Sequence, residues 1–171
     1  KYKTGFYNRK SAELTAIRLS TLTAFDLMVL DAAALPLLAP GERNALRRAV
    51  EKGLGLVILS GGELPELNAA ERQFFFGFPL RRAAPLFRPA REAAALQLPK
   101  APYNIEPGYG VYPLLRSHTG SIVAASRLRG TGRLTLQLAG ATYLLLLDGR
   151  EAAYQQMWTE ILEATARPAS P

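Results

Sequence analysis

The sequence predicts an α/β fold with a mostly parallel sheet, and three neighbouring segments carry that prediction. Residues 25–31 read FDLMVLD, a short apolar run ending in a carboxylate, as expected of a parallel strand covered on both faces. Residues 41–52 place Ala45, Leu46, Ala49 and Val50 on one stripe at helical spacing. Residues 54–59 form a second apolar run. Strand, helix and strand with short joints make a βαβ unit, whose two strands run parallel.

Each element has its own local signals. Residues 32–40 connect the first strand to the helix, and Pro40 suits a first helical turn. Glu42 stands early in the helix and Arg47, Arg48 and Lys52 late, in the sense the helix dipole favours. Gly53 stops it. Ser60-Gly61-Gly62 is the turn after the second strand. The stretch 66–120 changes character and reads as a proline-rich, partly β insertion or irregular segment. Within it, residues 74–80 and 93–98 are compatible with strands or short helices, and residues 100–113 read as a loop rich in Pro, Gly and Tyr. Residues 121–128 and 133–139 are two strands joined by Arg129-Gly130-Thr131-Gly132, a hairpin signal. Thr142 to Leu147 is short and apolar, and Gly149 breaks the chain. A final helix over 151–166 carries Tyr154, Met157, Trp158, Ile161, Leu162 and Thr165 on one stripe.

Composition narrows the chemistry. The 171 residues match one domain, large enough to bury a core without staples. The chain has no cysteine, which excludes thiol nucleophiles, disulfides and Cys-ligated metals, and its one histidine, His118, cannot build a His-rich site. No metal and no cofactor is expected. The formal charge of +7 leaves nucleic acid, anionic lipid or an acidic partner open in principle. The densest basic stretch is Arg72, Arg81, Arg82, Arg88 and Arg91, interleaved with Phe74, Phe75, Phe76, Phe78 and Phe87. No recognised nucleic-acid motif accompanies it, so nucleic acid is disfavoured as a partner. No apolar run reaches the roughly 18 residues of a membrane span. The opening at Lys1 in a Tyr/Lys segment suggests a piece of a longer protein.

Candidate sites follow from where ligands bind in such sheets, beyond the carboxyl ends of the strands. That rim gathers Asp31, Ser60, Gly61, Gly62 and Glu63, with Gly140, Ala141 and Thr142 after the later strand. Gly61 and Gly62 would cradle an anion only if a helix began at Glu63. Ser60 as a hydrolytic nucleophile lacks the G-x-S-x-G setting and would need His118 or a carboxylate as base. Asp26 and Asp31 stand about 16 Å apart along a strand, too far to share a proton. A second surface is offered by Arg81, Arg82, Arg88, Tyr103, Tyr109 and Tyr112, arginines and loop tyrosines suited to contact.

The run FDLMVLD, the following helix and GLGLVILSGG resemble the class I glutamine amidotransferase-like domain, and GTGRLTLQL, a Tyr and a terminal helix with Tyr154 and Trp158 are similar to the same superfamily. The nearest variety occurs in large, uncharacterised membrane-associated proteins of bacteria, often Bacteroidetes. The resemblance covers about residues 22–62 and 121–166. It implies a flavodoxin-like αβα sandwich. It also implies a catalytic Cys at the turn after Leu59 and a His after Ala139, yet the chain has Ser60-Gly61-Gly62 and Gly140-Ala141-Thr142 there. The expectation is a non-catalytic interaction or ligand-sensing module. Its partner would be a protein, within or beside an envelope-associated, membrane-anchored parent, and a small-molecule ligand is open. The alternatives are a hydrolase using Ser60 and nucleic-acid binding through Arg72 to Arg91.

Overall fold

The computed structural model describes residues 17–90 and 96–167. Along the chain, α1 (Leu19–Leu22) leads to β1 (Leu27–Asp31), a 3-10 turn over Ala32–Leu37, α2 (Pro40–Glu51) and β2 (Gly55–Leu59). Then come α3 (Ala69–Phe76), β3 (Leu80–Arg82), β4 (Leu86–Phe87), β5 (Leu98–Pro99), β6 (Tyr103–Ile105) and β7 (Tyr112–Arg116). β8 (Ile122–Arg129), β9 (Gly132–Gln137), α4 (Leu144–Leu147) and α5 (Glu151–Thr165) complete the chain.

The main sheet has the order β1-β2-β9-β8-β6-β3, with β7 also paired to β8. β1, β2 and β9 are parallel, as the βαβ reading requires. Beyond β9 the pairing turns antiparallel, because β8 and β9 are joined by the hairpin at Gly130, whose φ of +63° fits the glycine there. The sheet is therefore mixed. β4 and β5 form a separate two-stranded ribbon.

Helices cover both faces. Arg133 Nη1 donates to the Ala164 carbonyl at 2.8 Å and the Thr135 and Thr165 hydroxyls meet at 2.5 Å, so the odd-numbered side chains of β9 face α5. Leu134 and Leu136, fully buried, point the other way, toward the face where α2 packs on β9 with Leu46 and Val50 buried. On α2, Pro40 occupies the first turn and the Glu42 carboxylate accepts the N–H groups of Ala39 at 2.8 Å and Ile17 at 2.9 Å. β2 lies between β1 and β9 and is buried over its first four residues. β1 corrects the expectation of a strand covered on both faces: it is the sheet edge, and Val29 is 44% exposed because α5 packs on β2 and β9.

The middle of the chain is more regular than expected. Instead of a strand or short helix starting near residue 74, α3 begins at Ala69, where the Asn68 side chain accepts the Glu71 N–H at 2.9 Å. Residues 100–113, expected as loop, contain β6 and the start of β7. β6 pairs with both β3 and β8, a long-range partnership that no local pattern announces. Of residues 93–98, the first three lie outside the described residues, and Leu98 opens β5. The terminal stripe behaves as drawn, with Met157, Ile161 and Thr165 buried and Tyr154, Trp158 and Leu162 packed against the core.

Candidate functional site

The sheet does bring the ends of β1, β2 and β9 to one rim, since Asp31 stands opposite Leu59 and Leu59 opposite Gln137. The side chains there are already engaged. Asp31 accepts the Ala33 N–H at 2.8 Å and so caps the 3-10 turn. Ser60 is 3% exposed, and its hydroxyl donates to the Gly62 carbonyl at 3.1 Å. The Ser60 N–H continues the β2–β9 ladder to the Gln137 carbonyl at 2.8 Å. Gly61 and Gly140 lie backbone to backbone, a methyl on Gly61 falling 3.2 Å from the Gly140 Cα. The two turns that follow β2 and β9 thus touch there. Ala141 at φ +45° and Thr142 then turn the chain into α4.

The anion cradle is absent, because no helix begins at Glu63: the next one, α3, starts at Ala69. Glu63 instead joins the two sets of residues that the sequence kept apart. Its carboxylate accepts from Arg82 Nη1 at 2.5 Å and from the Tyr103 hydroxyl, while the Arg82 guanidinium lies 4.8 Å from the Tyr103 ring centre. The register places Arg82 opposite Tyr103 across β3 and β6, and next to it Arg81 pairs with Glu106 at 2.7 Å. This exposed node ties the turn after β2 to the far edge of the sheet. Arg88 lies beside the His118 turn, its carbonyl accepting the His118 N–H at 2.8 Å. Tyr109 is fully exposed, and Tyr112 sits in β7 opposite Ser126.

The Tyr103 hydroxyl, and secondarily Arg82, hold the Glu63 carboxyl below the usual carboxylate range, and the same hydrogen bond pushes the Tyr103 phenol up. A depressed carboxylate strengthens the node above its unperturbed pKa of 4.5, and that contribution is lost as pH falls through the folded value. Tyr103→Phe and Arg82→Gln are each expected to raise the Glu63 titration midpoint, Tyr103→Phe more. Carboxyl carbon NMR would check this, and an unmoved midpoint in Tyr103→Phe would refute the node.

The aromatic residues of the basic stretch do not form a stacking surface. Phe74, Phe75, Phe76, Phe78 and Phe87 are all buried in the core, so they do not lie between the arginines at the surface. Arg81 and Arg82 are spent on glutamates, and Arg91 lies outside the described residues. Among the described residues no group of three His, Asp or Glu gathers as for a metal, and no helix is long and apolar enough to cross a membrane.

Sequence reasoning passed over two features of this end. Lys100, opposite Ala139, is 4% exposed, and its ammonium donates to the carbonyls of Ala101 at 3.1 Å and Tyr103 at 2.6 Å. Burial pushes its pKa below the ordinary lysine value. A lysine between prolines gives no sequence sign of burial. The second feature is apolar exposure on the segments that leave the rim. Leu37 in the 3-10 turn is 71% exposed, and Tyr143, Leu146 and Leu147 around α4 are 58%, 42% and 77% exposed.

No protein-family model and no curated protein matches the chain. Solved structures share its fold at low identity. A cytoplasmic protein of Salmonella typhimurium LT2 aligns with a TM-score of 0.59 and 11% identity over 90% of this chain and 77% of its own. A second cytoplasmic protein of Salmonella typhimurium gives 0.55 and 10% over 91% and 77%. An exo-β-1,4-mannosidase from Opitutaceae bacterium strain TAV5 gives 0.51 and 16% over 86% of this chain but only 26% of the enzyme. At these identities the likeness is one of α/β fold.

Proposed function

We propose that the chain is a non-catalytic, amidotransferase-like interaction module that docks a protein partner on the rim end of its sheet. The observation that carries this reading is the exposure of Leu37, Tyr143, Leu146 and Leu147 on segments leaving that end. Exposed large apolar side chains cost solubility, and several of them at one end of a sheet favour a contact surface there. The groups a reaction would use are meanwhile occupied, with Ser60 bonded to Gly62 and Asp31 to Ala33. A nucleophile needs a base within reach of its hydroxyl, and the Ser60 hydroxyl has a backbone carbonyl as its hydrogen-bond partner. The Gly61–Gly140 contact disfavours a small-molecule sensor at the centre of the rim and favours contact across its surface. Helices on both faces of a sheet with a parallel β1-β2-β9 core also suit the flavodoxin-like sandwich of the amidotransferase-like domain, without its Cys and His.

Site-specific photo-crosslinking in the native cell tests the reading. A photoreactive side chain introduced at Leu147 is expected to give one discrete protein adduct, and the same group at exposed Glu163 on α5 none. Indistinguishable patterns from the two positions would overturn the proposal.

A further inference from the structure

A cleft of about 230 Å³ opens away from the rim, between α2, α3 and the β8–β9 turn, lined by Arg47, Glu51, Ala70, Gln73, Phe74, Arg129 and Gly130. Two guanidinium groups converge on one aromatic ring in it: the Arg47 Cζ is 5.2 Å and the Arg129 Cζ 5.6 Å from the Phe74 centroid. Neither has a carboxylate within ion-pair distance among the described residues. Arg129 has a structural task, donating from Nε to the Phe74 carbonyl at 3.2 Å and from Nη2 to the Gln73 carbonyl at 3.1 Å at the end of α3. Arg47 has none of that kind, and its Nε is buried with no hydrogen-bond partner.

We propose that this cleft binds a small oxyanion, the phosphate group of a soluble metabolite or free phosphate. Two cations sharing one ring, in a recess where neither makes an ion pair among the described residues, leave positive charge partly desolvated and unpaired, which is costly until an anion enters. Guanidinium edges match the oxygens of phosphate, and Arg47 keeps its donors free for them. Gln73 and Gly130 add neutral polar lining, and Glu51 on the same wall opposes the charge and limits affinity. The fold makes the recess because the Gly130 turn docks on the end of α2, where the Thr131 N–H and hydroxyl donate to the Glu51 carbonyl at 3.0 and 3.1 Å. The rim plays no part, so this proposal stands or falls separately from the docking surface.

Calorimetric titration with inorganic phosphate and pyrophosphate, at ionic strength held constant with sodium chloride, tests it. Saturable binding is expected, about tenfold weaker in Arg47→Gln, the change a charge-assisted hydrogen bond supports. Glu51→Gln should tighten it. Arg47→Gln is preferred to an Arg129 variant because Arg129 also caps α3. Its unchanged melting temperature would show that it folds. No saturable heat at about 20 mM of either anion, enough to fill even a millimolar site, would overturn the proposal. So would equal binding by Arg47→Gln. Tighter binding of a short single-stranded DNA, steep in salt and indifferent to Arg47→Gln, would point to a diffuse basic surface and count against it as well.

Discussion

Gly132→Ala is expected to destabilise the protein by about 3 kcal/mol or more, as forced overlap in a packed region does. Gly132 begins β9 at the point where the end of α2 presses on the strand. A methyl there would overlap the Val50 carbonyl oxygen and lie 2.6 Å from the Leu54 oxygen. Both atoms are backbone, fixed by the helix end and by the approach to β2, so neither moves aside as a flexible side chain would. The damage reaches the centre of the sheet, because β9 is paired on both sides, with β2 and with β8. At 2–4 °C per kcal/mol for a chain of this size, the melting temperature should fall by about 6–12 °C. Gly62→Ala on the rim is the control, with nothing within 4 Å of the added methyl and no positive φ. It should change stability by less than about 0.5 kcal/mol or raise it slightly. Thermal unfolding of the two variants decides the matter, and a shift below about 2 °C for Gly132→Ala would mean that the contact with α2 gives way readily.

That contrast shows what kind of information the sequence carries. The βαβ unit is legible because its determinants are local: apolar runs of strand length, the stripe of Leu46, Ala49 and Val50, and Pro40 and Gly53 at the helix ends. The β8–β9 hairpin is legible for the same reason, from its Gly-rich turn. The sheet beyond β8 is not. β3 and β6 have three residues each, too few to show alternation, and they exist because they pair with each other and β6 with Ile122. The edge position of β1 is equally invisible, since a run such as LMVLD reads the same with one face covered or two. The rim residues were found because strand ends follow from strands. Their occupation was not, because the partners of Ser60, Asp31 and Glu63 are set by turn geometry or by residues such as Tyr103 that lie far along the chain. The phenylalanines of the basic stretch look the same in sequence whether they stack on bases or fill a core. Burial decides it: Phe74, Phe75 and Phe76 are buried on α3, and Phe78 and Phe87 are buried beyond it.

Glu71→Ala should be as damaging as Gly132→Ala, and its effect should spread to the 3-10 turn that carries Leu37 in the proposed docking surface. Glu71 and Arg43 form the most buried ion pair among the described residues, at 2.6 Å with side chains 10% and 14% exposed. Arg43 also donates from Nη1 to the carbonyls of Leu35 and Leu38. One guanidinium thus binds α2 to α3 and to the 3-10 turn that presents Leu37. Removing the carboxylate leaves a buried charge without its partner, which costs about 3–5 kcal/mol and should lower the melting temperature by roughly 10 °C. Replacing both groups by apolar residues of similar size, Glu71→Leu with Arg43→Met, removes the charge together with its desolvation cost and should recover most of that loss. Recovery would be incomplete, because the Leu35 and Leu38 carbonyls lose their donor. Hydrogen exchange separates the two contributions. In Glu71→Ala the amide of Leu38, bonded to Leu35 at 3.2 Å, should exchange faster than in the wild type, while that of Ser60 on the β2–β9 ladder changes only with global stability. A strictly additive double variant would mean that the pair makes no coupled contribution. Protection at Leu38 that merely follows global stability would mean that the 3-10 turn is held by its own packing. In that case Leu35 and Leu38, both buried, would be the anchors that hold Leu37 at the surface, and Arg43 only a neighbour.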